Sequence, residues 1–216
     1  MAQFVNIHTH NFNDTGLSII NLFPEDIKKV KENKFYSAGI HPWKVGNTDI
    51  YKQLQQIDRI SKQENILAVG ETGLDKLRPE FSLQKDVFLK QIKIAETVRK
   101  PIIVHCVKAY SELTEIIKKE NIQVPVIIHR YSGNITIARQ LIKFGCYFSF
   151  GHELCNTKSK TPGIFNRIPV ENIFLETDDA ETNIKDIYKT AAEIKSVDTK
   201  HLAVIVMKNF KKVFKK

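Results

Sequence analysis

Ile66-Leu67-Ala68-Val69-Gly70-Glu71, then Ser82 to Arg99, then Pro101-Ile102-Ile103-Val104-His105, read in turn as strand, helix and strand. The two short runs are apolar and β-branched, and each closes on an ionisable side chain. Between them Leu83, Val87, Phe88, Ile92, Ala95 and Val98 recur every three or four positions, the stripe of a helix that lies on a sheet. Strands joined through a covering helix run parallel, so a chain made of such units belongs to the α/β class.

The alternation continues outward to both ends. Further candidate strands are Phe4 to His8, Leu17 to Leu22, Phe35 to Ile40, Val124 to His129, Tyr147 to Phe150 and Ile173 to Glu176, eight with the two already quoted. Candidate helices are Asp49 to Gln63, Ser111 to Lys119, Ile135 to Phe144, Ile184 to Lys195 and His201 to Phe214, the last ending in lysines that suit a helix C-terminus. Eight strands with intervening helices predict a (β/α)8 TIM-type barrel over residues 1–216 as a single domain. An open doubly wound sheet gives a similar string, but no GxGxxG turn follows any strand. Only Asn11 to Gly16 joins the first two strands, too little for a helix, so the barrel is expected to be trimmed there.

The 216 residues are 42% hydrophobic and 26% charged, a globular balance. No apolar run reaches the roughly 18–20 residues that cross a bilayer, and Met1 to His10 lacks the parts of a leader, which leads to the expectation of a cytoplasmic chain without membrane partner. Cys106, Cys146 and Cys155 are too scattered for a disulfide framework and are expected as free thiols. The net charge of +9 favours a polyanionic partner, although a lysine-rich solvated surface and the tail Lys211, Lys212, Lys215 and Lys216 explain most of it.

Four of the seven histidines, His8, His10, His105 and His129, fall at or just past the ends of candidate strands, as do Glu71, Glu176 and Asp178. In a barrel, strand ends far apart in sequence converge at the C-terminal mouth. His8 and His10 alternate on an extended chain and so share a face. Imidazole and carboxylate together suit zinc, manganese or, with more oxygen, magnesium, and the six ligands His8, His10, Glu71, His105, His129 and Asp178 exceed what one tetrahedral ion takes, so two divalent ions are expected. His152-Glu153 lacks the second histidine of HExxH, Asn156 standing in its place, and His152 and His201 are expected to be structural. Trp43, Phe12 and Tyr131 are aromatic candidates for stacking on bases near the mouth, with packing an equal alternative for each.

These segments resemble the TatD family of metal-dependent deoxyribonucleases, in order and over nearly the whole chain. Asn6-Ile7-His8-Thr9-His10 resembles the family's DxHxH, Gly39-Ile40-His41-Pro42 its GxHP, and Gly70 to Asp75 its GExGLD. Pro101 to His105 resembles PxxxH, His129 to Gly133 HxFSG, Glu176-Thr177-Asp178 ETD, and Asn209 to Phe214 NxxxxF. The resemblance implies a barrel hydrolase that binds two divalent ions and cuts DNA, possessing 3′-end activity in many members. It implies that His8, His10, Glu71 and Asp178 hold one ion, and that Glu71 bridges to a second held by His105 and His129. Glu71 and Asp178 are the catalytic pair, Asp178 orienting or deprotonating the attacking water, while His41, Lys108 and Arg130 meet substrate phosphate or support the site.

Three departures stand out: Asn6 in place of the family's aspartate, Lys108 in place of an arginine, and Asp179-Ala180 in place of Ala-Pro. Asn6 is expected to change the charge around the ligands, and Lys108 to meet a phosphate as a point charge. The expected substrate is DNA, with RNA as an alternative, and no obligate protein partner is implied. Two rival readings keep the fold: a hydrolase of an amide, lactone or ester, as in the wider amidohydrolase superfamily, and an inactive barrel that binds nucleic acid or protein.

Overall fold

In a computed structural model, which describes residues 3–46 and 49–216, eight parallel strands form one sheet in the order of the chain. They are β1 Val5–Thr9, β2 Leu17–Leu22, β3 Phe35–Ala38, β4 Ile66–Asp75, β5 Ile102–Val107, β6 Val126–Ile128, β7 Tyr147–Phe150 and β8 Ile173–Leu175. The helices are α1 Ile50–Ile60, α2 Phe81–Val98, α3 Tyr110–Glu120, α4 Ile135–Lys143, α5 Thr161–Arg167, α6 Ile184–Lys195 and α7 Thr199–Phe214. The seam between β1 and β8 is closed by a bridge in which His10 N–H donates to Asp178 O (3.0 Å) and Asp178 N–H to His8 O (3.0 Å). The expected barrel is therefore the observed one, and the strands are lined by fully buried Val, Ile, Leu and Phe side chains.

No helix joins β1 to β2, as expected, and β2 reaches β3 through only a 3-10 turn, Pro24–Lys29. On this thinly covered flank Phe4, Leu17, Phe35 and Ile184 border a cavity of about 380 Å³. None of the ionisable groups singled out above lines it.

Two elements differ from expectation. Helix α5 was not foreseen: with seven residues, and Pro162 in its first turn, it is too short to print a stripe on the sequence. Strand β4, expected to stop at Gly70, runs on to Asp75. Gly70 and Gly73 both sit at φ +141°, and a Cβ there would come within 2.4 Å of Ile103 O and 2.1 Å of His105 O, respectively. The glycines that read as a strand end instead let β4 and β5 approach closely, which carries Glu71 up against His105.

Among the described residues no helix is long and apolar enough to cross a membrane. All three cysteines are free; burial pushes the Cys106 and Cys146 thiols up to about 12, so neither is a nucleophile at neutral pH.

Candidate metal centre

The strand ends bring all six expected ligands to one place. His8 lies on β1 with His10 just past its end, Glu71 is inside β4, His105 inside β5, His129 follows β6 and Asp178 follows β8. His8 Nε2 is 3.5 Å from Glu71 Oε2 and 3.4 Å from Asp178 Oδ1; His10 Nε2 is 3.8 Å and 3.3 Å from the same two oxygens. The other Glu71 oxygen, Oε1, lies 2.8 Å from His105 Nδ1, 2.7 Å from His129 Nε2 and 3.1 Å from His41 Nε2. Glu71 thus gives one oxygen to each half of the cluster.

The donor set fits divalent ions. His8 Nε2, which faces Glu71 and Asp178, is buried without a hydrogen-bond partner, a costly state for a ring nitrogen unless something coordinates it, while the outer nitrogens His105 Nε2 and His129 Nδ1 lie beside Asp75 (3.6 Å) and Glu176 (3.4 Å). Three compact triads can each offer converging atoms: His8, Glu71 and His129; His8, His10 and Asp178; and His41, Glu71 and His105.

Burial favours neutral groups here, yet the mixed charges resist it. Burial alone would lower His8, but Asp178 and Glu71 beside it raise it to about 9. Burial would likewise lower His129, and the Glu71 and Glu176 carboxylates hold it well above the usual imidazole range. Glu71 and Asp178 are both driven the other way: burial would raise them, and the surrounding histidines hold them ionised well below the carboxylate range. For His41 burial dominates and lowers it. Its Nδ1 accepts the Trp43 backbone N–H (3.1 Å), so in the neutral ring Nε2 carries the proton and donates to Glu71 Oε1.

Arg130 lines the cavity at the mouth with its guanidinium turned onto the cluster. Its Nη1 donates to Asp178 Oδ2 (2.7 Å) and its Nε to Glu153 Oε1 (2.6 Å). Asp178 is left with Oδ1 toward the histidines. Lys108 is exposed and lies outside the lining of the cavity at the mouth.

Of the supporting residues, Asn21 and Gln91 carry no signature in sequence, whereas Glu176 is marked by its place at a strand end. Asn21, inside β2, accepts the Glu71 backbone N–H through Oδ1 (2.7 Å). Gln91 of α2 grips Ile40 N–H (2.7 Å) and Ile40 O (3.1 Å) and so pins the segment that carries His41. Glu176 accepts the Arg130 N–H (2.9 Å) and the Ser149 hydroxyl (2.5 Å) behind His129. A buried Gln or Asn pointing at the mouth was the one available signal, visible only once strand faces are known.

Asn6 does not touch the ligands. Its Oδ1 accepts Thr177 N–H (3.0 Å), and its Nδ2 donates to Thr177 Oγ1 (2.8 Å) and Asp14 Oδ2 (3.1 Å), so it ties the β1–β8 seam. An aspartate there could not donate to Asp14. Of the proposed stacking rings, Tyr131 is buried under Phe148 and spends its hydroxyl on Asn134 O, and Phe12 packs on the flank; only Trp43 lines the mouth. His152 opens a 3-10 turn and His201 is exposed on α7, both apart from the cluster.

Known proteins resemble this chain along nearly its whole length. The family described as TatD related DNase matches residues 4–215. The metal-dependent hydrolase YabD of Bacillus subtilis is 28% identical over 207 residues, covering 88% of this chain and 81% of its own length. A metal-dependent hydrolase of Buchnera aphidicola from Acyrthosiphon pisum is 30% identical over 190 residues, 79% of this chain and 69% of the relative. The crystal structure of the TatD homologue YjjV of Escherichia coli superposes with a TM-score of 0.88 at 18% identity, covering 100% of this chain and 99% of that one, a likeness of fold. A barrel whose strand ends gather this ligand set, matched along nearly its whole length, belongs to the TatD family of metal-dependent hydrolases.

Proposed function

We propose that the chain hydrolyses phosphodiester bonds of DNA, removing nucleotides from the 3′ end with two divalent ions. The observation that carries the two-ion reading is the split of Glu71: Oε2 toward His8 and His10, Oε1 toward His105 and His129. A glutamate in that shared position, where many amidohydrolase relatives use a modified lysine, favours phosphodiesters over amides. The family match and the basic charge of the chain support the same reading.

His8, His10, Glu71 and Asp178 would hold one ion, and Glu71, His105 and His129 the other. Magnesium, manganese or zinc bound there supplies Lewis acidity, lowering the pKa of a coordinated water and neutralising charge that builds on phosphoryl oxygens. The chain does the rest. Asp178, ionised and fixed by Arg130, presents Oδ1 to orient the attacking water and accept its proton. His41 holds an Nε2–H beside Glu71, placed to steady a phosphate oxygen that displaces that hydrogen bond. The lining sets Lys44 and Arg130 against Glu71, Glu153, Asp178 and Asp179, so the positive charge a phosphate needs would come from the ions.

The test pairs metal content, by mass spectrometry of purified protein, with shortening of 3′-labelled single-stranded DNA in magnesium or manganese. Chelator-sensitive loss of 3′ nucleotides is expected. Metal without DNA cleavage, together with turnover of amide, lactone or ester substrates, would overturn the phosphodiester reading. A protein that takes up no metal and cleaves nothing would make binding its function.

A further inference from the structure

Two rings at the mouth have no part in holding an ion. Phe23 directly follows β2 and Trp43 follows His41-Pro42, and both line the cavity of about 640 Å³ that contains the cluster. His41 is near-perpendicular to both, 6.1 Å from Phe23 at 82° and 5.0 Å from Trp43 at 88°. Phe23 also stacks on His10 at 5.5 Å and 28°.

Trp43 is 51% exposed and yet fixed in place. Its Nε1–H donates to the buried Asp75 Oδ2 (2.7 Å), while Asp75 Oδ1 accepts Leu77 N–H (2.9 Å) and the Asp75 N–H meets Gln84 Oε1 (2.8 Å). Satisfying Asp75 explains the indole N–H but not the exposed ring, since an apolar face left in water forgoes burial. A rigid aromatic plate beside reactive groups is a stacking surface. Cations flank both rings: the Arg78 guanidinium lies 4.3 Å over Trp43, and Lys44 Nζ, paired with Glu25, lies 5.6 Å over Phe23.

Aromatic surface at the mouth, with one cation over a face of Trp43 and another over Phe23, suits a planar heterocycle that carries a phosphate. We infer that Phe23 and Trp43 form a base-stacking slot that seats the terminal nucleobase of the substrate and so lays its phosphodiester on the Glu71 and Asp178 cluster. This rests on the phosphodiesterase reading and adds to it a selectivity for nucleotides over base-free phosphodiesters. The slot tolerates any base, because every base offers a π face.

Trp43 is the only tryptophan, so its emission reports on the slot directly. The full chain in magnesium is titrated with deoxyadenosine 5′-monophosphate and, as the base-free control, 2-deoxyribose 5-phosphate, read by Trp43 emission and by calorimetry. The nucleotide is expected to perturb the emission and to bind on the order of tenfold more tightly than the control. Trp43→Leu and Phe23→Leu should each remove about that tenfold, Trp43→Phe should restore most of it, and affinity for the sugar phosphate should stay unchanged. Equal binding of the two probes by the unaltered protein, a comparison that needs no variant, overturns the slot. If that preparation still shortens DNA, the phosphodiesterase reading stands and only the slot falls; if it neither binds nucleotide nor cleaves, both fall.

Discussion

The two halves of the cluster are held by different means. Around Asp178 a permanent cation does the work: Arg130, itself anchored by Glu153, fixes Oδ2 whether or not an ion is present. Around Glu71 Oε1 three imidazoles crowd together, with His105 Nδ1 only 3.3 Å from His41 Nε2 and 3.4 Å from His129 Nε2. The three facing nitrogens cannot all carry protons, so that half needs at least one ring that turns a bare nitrogen inward, or a metal in place of the protons. One half is organised in advance and the other would be completed by an ion, and the difference predicts how each responds to substitution and to pH.

The largest effect is expected at the residue the halves share. Glu71→Gln should lower DNA cleavage about 100- to 1,000-fold and deplete metal from both halves. Full metal occupancy in that variant would break the comparison, because Glu71 would then belong to neither. Asp178→Asn comes next, with a loss of about 100-fold, and mass spectrometry should find one ion retained. If both ions leave, the halves are not separable.

Arg130→Met sharpens the contrast. If the guanidinium organises Asp178, metal affinity should fall about 10- to 100-fold, as for other groups that orient a ligand. Adding Glu153→Gln should recover part of the loss by removing the carboxylate left without its cation. A rise in KM for DNA with metal affinity intact would instead assign Arg130 to substrate phosphate, the role its sequence position implied.

The smallest effect is a slope. In metal-free protein His8 is raised from 6.5 to about 9, so its stabilising contribution is whole below pH 6.5 and is lost as pH climbs through 9. Metal competes with protons for the same nitrogens, so the ions' own stabilisation grows over that interval. The melting temperature without metal should fall from pH 6.5 to 9 while the increment from added manganese increases. An increment independent of pH would mean that the imidazoles are not ligands.

The ligand candidates were legible because each sits at the end of an apolar run, where a barrel puts its mouth; His8, His105 and His129 need only local pattern to be noticed. The residues that aim them were not. Asn21 acts on Glu71 fifty positions away, Gln91 on Ile40 fifty-one away, and Glu153 on Arg130 twenty-three away. Periodicity reports which face a side chain takes, never which distant partner it meets there. Tyr131 stayed undecided between stacking and packing for the same reason, since nothing local distinguishes a ring buried under Phe148 from one that faces the cavity.

The sequence by itself determined the class of fold, the trimmed crossover after β1, the candidate ligands and the family, all of which depend on short-range pattern and motif spacing. Only the tertiary structure decided that β4 runs past Gly70 to set Glu71 against His105, that Arg130 grips Asp178, and that Phe23 joins Trp43 at the mouth. Each of those outcomes is a contact between elements far apart in the chain. Such contacts depend on the distance and angle at which closed strands meet, and a barrel fixes these quantities only when its seam is joined.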